Sequence, residues 1–147
     1  MVHSPAKCRA VADSNVIIAA KRSRQTRSPN REVIERWRLG QYEFLYSADT
    51  LAEYAEKLLA LDVARADIVS FLAMVIALGV EVEIRFFHLP RYPHDPDDIA
   101  FLLCAWNGLA SHLVSYDEDL LALAEDYRPH FYICRPLEFL SALRTAR

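Results

Sequence analysis

The chain has 147 residues, 53% of them hydrophobic, with only 3 Gly and 7 Pro, so it can bury a core of its own and is not a disordered polymer. Its net charge of −3 gives no general basic surface, and no apolar run approaches the length of a membrane span. The opening residues Met1 to Lys7 lack the apolar core of a secretory signal, and Cys8, Cys104 and Cys134 have no paired spacing. Each cysteine sits in an apolar run, which reads as a reduced thiol of a cytoplasmic protein rather than as part of a disulfide or zinc site. These features predict one domain over residues 1–147 with its core at about 8–143, in the cytoplasm and without a membrane partner.

The first element is Val11-Ala12-Asp13-Ser14-Asn15-Val16-Ile17-Ile18, a polar cluster between β-branched and small apolar residues. That crowding suits a strand buried on both faces, and Asp13 is accommodated most cheaply where the strand stops, at the carboxyl edge of a sheet. A basic segment from Lys21 to Arg31 follows. A helix is predicted from about Asn30 to Leu39, with Gly40 ending it, then a strand over Tyr42 to Ser47. Ser47 or Asp49 caps the next helix, with Leu51, Ala55, Leu58 and Leu59 as its apolar stripe. Another helix is expected over about Arg65 to Leu78, and the period-two run Val80 to Phe86 predicts a strand near a sheet edge.

In the second half, Asp95-Pro96-Asp97-Asp98 is an acidic helix start with Pro at its favoured first position. The helix from Ile99 to Trp106 is apolar nearly all round and must be well buried. His112 to Ser115 predicts a short strand, and Tyr116-Asp117-Glu118-Asp119 caps a helix from Leu120 to Tyr127. A last strand covers Phe131 to Cys134, and Pro136 starts a terminal helix bearing Leu137, Leu140 and Leu143. Strands alternating with helices predict an α/β fold: three layers, α/β/α, around a mostly parallel sheet of 4–5 strands.

Asp13, Asp98 and Asp117 share a placement at a strand end or at a helix start after one. Taken singly, Asp97, Asp98, Asp117 and Asp119 are explained by capping and by the helix dipole, each effect being worth about 0.3–2 kcal/mol. Capping explains Asp13 less well, because Val16-Ile17-Ile18 is a poor helix opening. Counting 100° per residue from Leu51 points Glu53 away from the apolar stripe, as an ordinary solvated glutamate. Taken together, converging carboxylates raise one another's pKa values, and a hard divalent cation relieves the repulsion. Oxygen donors without Cys or His suit Mg²⁺ or Mn²⁺.

These residues resemble a known family, the PIN-domain nucleases. Asp13-Ser14-Asn15 is similar to its opening Asp-Ser/Thr-Asn motif, and Ser47-x5-Glu53 to its second. Asp98 with Phe101 and Ala105 resembles the third, and Ser115-Tyr116-Asp117-Glu118-Asp119 the fourth. Cys134 to Leu140 looks like the last strand and helix of a bacterial branch assigned to toxins of toxin–antitoxin pairs. Two positions depart: Ser111-His112 stands where relatives often have Ala-Asp, and Tyr116 where Gly is common, which restricts the turn that aims Asp117.

The resemblance implies a metal-dependent endoribonuclease acting as a toxin-like component. Asp13, Glu53, Asp98 and Asp117 would hold one or two Mg²⁺ or Mn²⁺ ions, with Ser14, Asn15, Ser115 and Asp119 supporting them or touching phosphate. RNA is the implied substrate, with an antitoxin protein and a second copy of the chain as candidate partners. Lys21, Arg22, Arg24 and Arg27 are the dense positive run of an acidic protein, which a polyanionic substrate needs or which is a solvated charge run. Two competing readings are a non-catalytic PIN fold that binds RNA or protein, and a receiver-type phosphoacceptor. The second wants a late lysine where this chain has Arg135.

Overall fold

The computed structural model describes residues 7–23 and 28–145. Arg24 and Arg27 of the basic run lie outside the described residues. Strand β1 is Arg9–Ala12, and it stops one residue before Asp13. Helix α1, Ser14–Arg22, starts immediately afterwards with Asp13 as its N-cap. This corrects the expectation for Val16-Ile17-Ile18, which is helical. Burial decides the matter: Val16 and Ile17 are inside the core, and that packing outweighs a β-branched propensity penalty of under about 1 kcal/mol per residue.

Helix α2, Pro29–Arg38, is capped by the Ser28 side chain, and Gly40 takes a φ of 76° that turns the chain toward β2, Glu43–Tyr46. Helix α3, Ala48–Ala60, opens with a reciprocal box: Ser47 Oγ accepts the Thr50 amide at 3.2 Å and the Ser47 amide donates to Thr50 Oγ1 at 2.9 Å. Its buried stripe is Thr50, Tyr54 and Leu58, while Leu59 is exposed. The predicted stripe through Leu51 is therefore rotated by one residue. Tyr54 accounts for the difference, because its ring packs against Phe44, Phe71 and Phe101 and its hydroxyl donates to the Ala12 carbonyl.

Helix α4, Arg65–Leu78, ends at Gly79, where a Cβ would meet the Val75 carbonyl and the Tyr46 ring. The following strand β3 is only Val80–Glu81 and not the run to Phe86. The Val82 amide still donates to the Tyr46 carbonyl of β2 at 2.7 Å; beyond it the chain leaves the sheet, and the amides of Arg85 and Phe86 donate to Asn107 Oδ1 instead of to a strand. A 3₁₀ turn over Pro96–Asp98 leads into α5, Ile99–Asn107. Strand β4 is His112–Val114. The single helix expected after it is two short ones, α6 (Glu118–Leu121) and α7 (Ala124–Tyr127). Strand β5, Tyr132–Cys134, precedes α8, Pro136–Thr145, which buries Phe139, Leu140 and Leu143 and leaves Leu137 exposed.

All four strand pairings are parallel, in the order β3-β2-β1-β4-β5. Helices cover both faces, giving the three-layer α/β/α arrangement, with α5 packed on β1, β2 and β4. The order reverses direction between β1 and β4, and a doubly wound sheet opens its ligand crevice at the carboxyl ends of such a pair. The register Ala12↔Val114 sets Asp13 and Ser115 next to each other at that place. The departures from the family pattern fit this frame: Ser111 Oγ accepts the Arg9 amide and donates to the Arg9 carbonyl, serving the sheet.

Candidate metal centre

One carboxylate oxygen from each of Asp13, Asp98 and Asp117 lies within 4.8 Å of the others. Each acid arrives by a different local route. Asp13 is fixed by its own helix start, its Oδ1 accepting the Ser14 amide at 2.6 Å. Its Oδ2 accepts Ser115 Oγ at 2.7 Å and Asn15 Nδ2 at 3.1 Å. Asp117 comes from the turn after β4, where its amide donates to Ser115 Oγ at 2.9 Å and its Oδ1 accepts the Asp119 amide at 2.8 Å. Tyr116 does not disturb this turn: its φ is not positive, so glycine is not required, and its amide donates to Asn15 Oδ1 at 3.2 Å. Asp98 closes the 3₁₀ turn and is 5% exposed, while its neighbour Asp97 faces solvent.

The electrostatics of this cluster are unfavourable without a cation. Burial pushes the Asp98 carboxyl up to about 8, helped by the nearby charges of Asp13 and Asp117. Burial also raises Asp13, against the lowering effect of its hydrogen bonds from Ser115 and Ser14. Asp98 Oδ2 and Ser14 Oγ are buried and make no hydrogen bond among the described residues. A buried carboxylate oxygen with no donor is costly unless a cation faces it or a proton neutralises it, and a protonated Asp98 can share that proton with Asp117. The three acids supply oxygen only, so the donor set fits a hard divalent ion.

The cleft around the triad is about 150 Å³ and is also lined by Asn15, Glu53, Asp95 and Asp97. Glu53 is half-buried at its wall but is not among the three acids that converge. Burial raises its carboxyl, with Asp97 next in effect. Asp119 contributes its amide; the residue is exposed and does not line the cleft. Lys21 and Arg22 do not line the cleft. Lys21 instead lies over the Phe71 ring, 5.3 Å from its centroid. Arg135, the position a receiver domain would need as lysine, pairs with Glu118 at 3.0 Å outside the cleft.

Sequence reasoning missed Lys57. It lines the cleft and its Nζ is 3.6 Å from Asp97 Oδ2. The signal was available, since position 57 lies one helical turn beyond Glu53 on the same face.

A parallel sheet that gathers three acids, Asp13 and Asp98 buried and Asp117 half-buried, at the reversal of its strand order defines an α/β domain with a candidate metal site. The chain belongs to the PIN-domain family, whose model matches residues 9–119, from the first strand to Asp119. Asp13, Glu53, Asp98 and Asp117 fall within that span, and the family is of the nuclease type. A search of curated proteins finds no match for the chain. No helix among the described residues is long and apolar enough to cross a membrane.

Proposed function

We propose that this chain is a Mg²⁺- or Mn²⁺-dependent endoribonuclease, acting as one domain in the cytoplasm as the toxin-like member of a toxin–antitoxin pair. The observation that carries the reading is the convergence of Asp13, Asp98 and Asp117 around a buried, unpaired carboxylate oxygen. In this reading Asp13, Asp98 and Asp117 hold the ion, with Glu53 beside them. When bound, such an ion supplies Lewis acidity toward phosphate and a lowered pKa for water.

The chain's own groups do the rest. Ser115, Asn15 and the Ser14 amide fix the Asp13 carboxylate, so its geometry does not reorganise when substrate arrives. Glu53, with its raised pKa, orients the attacking water and accepts its proton. In-line attack on a phosphodiester then leaves a 5′-phosphate and a 3′-hydroxyl, with no covalent intermediate. In this reading Lys21, Arg22, Arg24 and Arg27 are the basic residues that bind the RNA backbone. The exposed Val69 and Ile76, seven residues apart on one side of α4, support a protein partner, either an antitoxin or a second copy.

The test is incubation with end-labelled single-stranded RNA and DNA in Mg²⁺, Mn²⁺ or chelator. RNA should be cut only with metal, and Asp98→Asn should abolish the cutting. Glutamine at Lys21, Arg22, Arg24 and Arg27 should weaken RNA binding and flatten its salt dependence. Cutting of DNA alone would remove the ribonuclease assignment. Cutting that survives both chelator and Asp98→Asn would remove the site. A non-catalytic binding module is the weaker reading, because all four acids of the family pattern are present.

A further inference from the structure

We propose that Lys57 is a phosphate-binding residue: its ammonium exchanges Asp97 for a non-bridging oxygen of the nucleic-acid phosphodiester entering the cleft. The inference rests on the nuclease reading and deepens it. The cleft is lined by Asp13, Glu53, Asp95, Asp97, Asp98 and Asp117, and Lys57 is its one cationic residue among the described residues. A single divalent ion offsets two of those charges, and a phosphodiester brings another negative one. Without a further cation at the mouth, the substrate meets net repulsion.

Lys57 is placed for that task by α3. It follows Glu53 by four residues, so both side chains leave the same face of the helix. Tyr54 and Leu58, buried on the adjoining face, hold the helix against the core. The ammonium sits at the mouth, with its side chain 44% exposed, and not in the pit.

Its present partner is easily surrendered. The Asp97 contact is 3.6 Å long, and both side chains are solvent-exposed. Exposed pairs of this kind contribute about 0–1 kcal/mol, so moving the ammonium to a phosphate oxygen costs little. Lysine suits the role because it recognises phosphate as a point charge on a flexible stem. A contact of this type carries no base information, and its effect is uniform across sequences.

The experiment measures binding of fluorescent single-stranded RNA in chelator at several salt concentrations, and KM and kcat in Mn²⁺. Lys57→Gln should weaken binding several-fold for every RNA sequence and reduce the salt slope by about 0.7–1. It should raise KM more than it lowers kcat. Lys57→Arg should retain the affinity, and Asp97→Asn, which removes the competing carboxylate, should tighten it. A Mn²⁺-induced thermal shift in Lys57→Gln equal to that of the wild type shows that fold and metal site persist. Wild-type RNA binding and cleavage with an unchanged Lys57→Gln would overturn the Lys57 role and leave the nuclease reading standing. Equal loss in Lys57→Gln and Lys57→Arg would overturn the charge-contact role. A wild-type chain that neither binds nor cuts RNA or DNA would overturn both.

Discussion

Asp98 is the residue on which the cluster's electrostatics turn. Its carboxyl is raised in the folded chain, to about 8, by burial and by the charges of Asp13 and Asp117. A raised carboxylate pKa means that the folded state prefers the protonated form. Its contribution to stability is therefore fully present below the unfolded value, near pH 4, and is lost as pH rises toward 8. Asp98→Asn keeps the size and stays neutral, so in chelator it should melt higher than the wild type at pH 8 and close to it at pH 4. The same substitution should abolish the Mn²⁺-induced thermal shift. Asp97→Asn, at the solvent-facing neighbour, should keep that shift. A thermal shift retained by Asp98→Asn and lost by Asp97→Asn would place the ligand one residue earlier.

At the scale of elements, α3 decides whether Glu53 stands at the cleft or in solvent. Its entry is held by the Ser47–Thr50 box and its middle by Tyr54, whose hydroxyl reaches the Ala12 carbonyl beside Asp13. Ser47→Ala removes one arm of the box and should cost about 0.5–2 kcal/mol in denaturant unfolding, with the slope unchanged. A loss below a few tenths would show that the box is idle. The same helix marks what the sequence could reveal. Its limits and cap are legible, since Ser47 precedes an amphipathic run. Its rotation is not, because Leu51 and Leu59 compete with Tyr54 for the inside and only the surrounding aromatic cluster selects Tyr54. Glu53 shifts with that rotation, and pattern counting therefore placed it wrongly. Helix α1 has the opposite history: β-branched residues spoke for a strand, and burial of Val16 and Ile17 overrode them. Strand β3 failed at its far end because alternation marks two faces but not a neighbour to pair with.

At the scale of the molecule, the site is a product of strand order. Asp13 and Asp117 are over 100 residues apart in the chain, and β1 pairing with β4 joins them through Ser115. Alternation of strands and helices predicts a parallel sheet but not which strands are neighbours, so the motif spacing indicated the acids without their mutual distance.

Assembly of this kind links metal, protons and stability in the whole fold. An ion at the triad favours an ionised Asp98, whereas burial and the charges of Asp13 and Asp117 favour its protonated form in the metal-free chain. Metal binding must therefore expel a proton, and affinity must rise with pH until the Asp98 carboxyl is ionised without help. At free metal near a hundred times Kd, binding should stabilise the fold by about 2.7 kcal/mol. At fixed Mn²⁺, the gain in melting temperature should grow from pH 5 to pH 8. Calorimetric titration at pH 7 in two buffers of different ionisation enthalpy should read net proton release. A gain independent of pH, together with no proton release, would mean that the three acids bind no ion as a unit, and the proposed metal centre would fall with them.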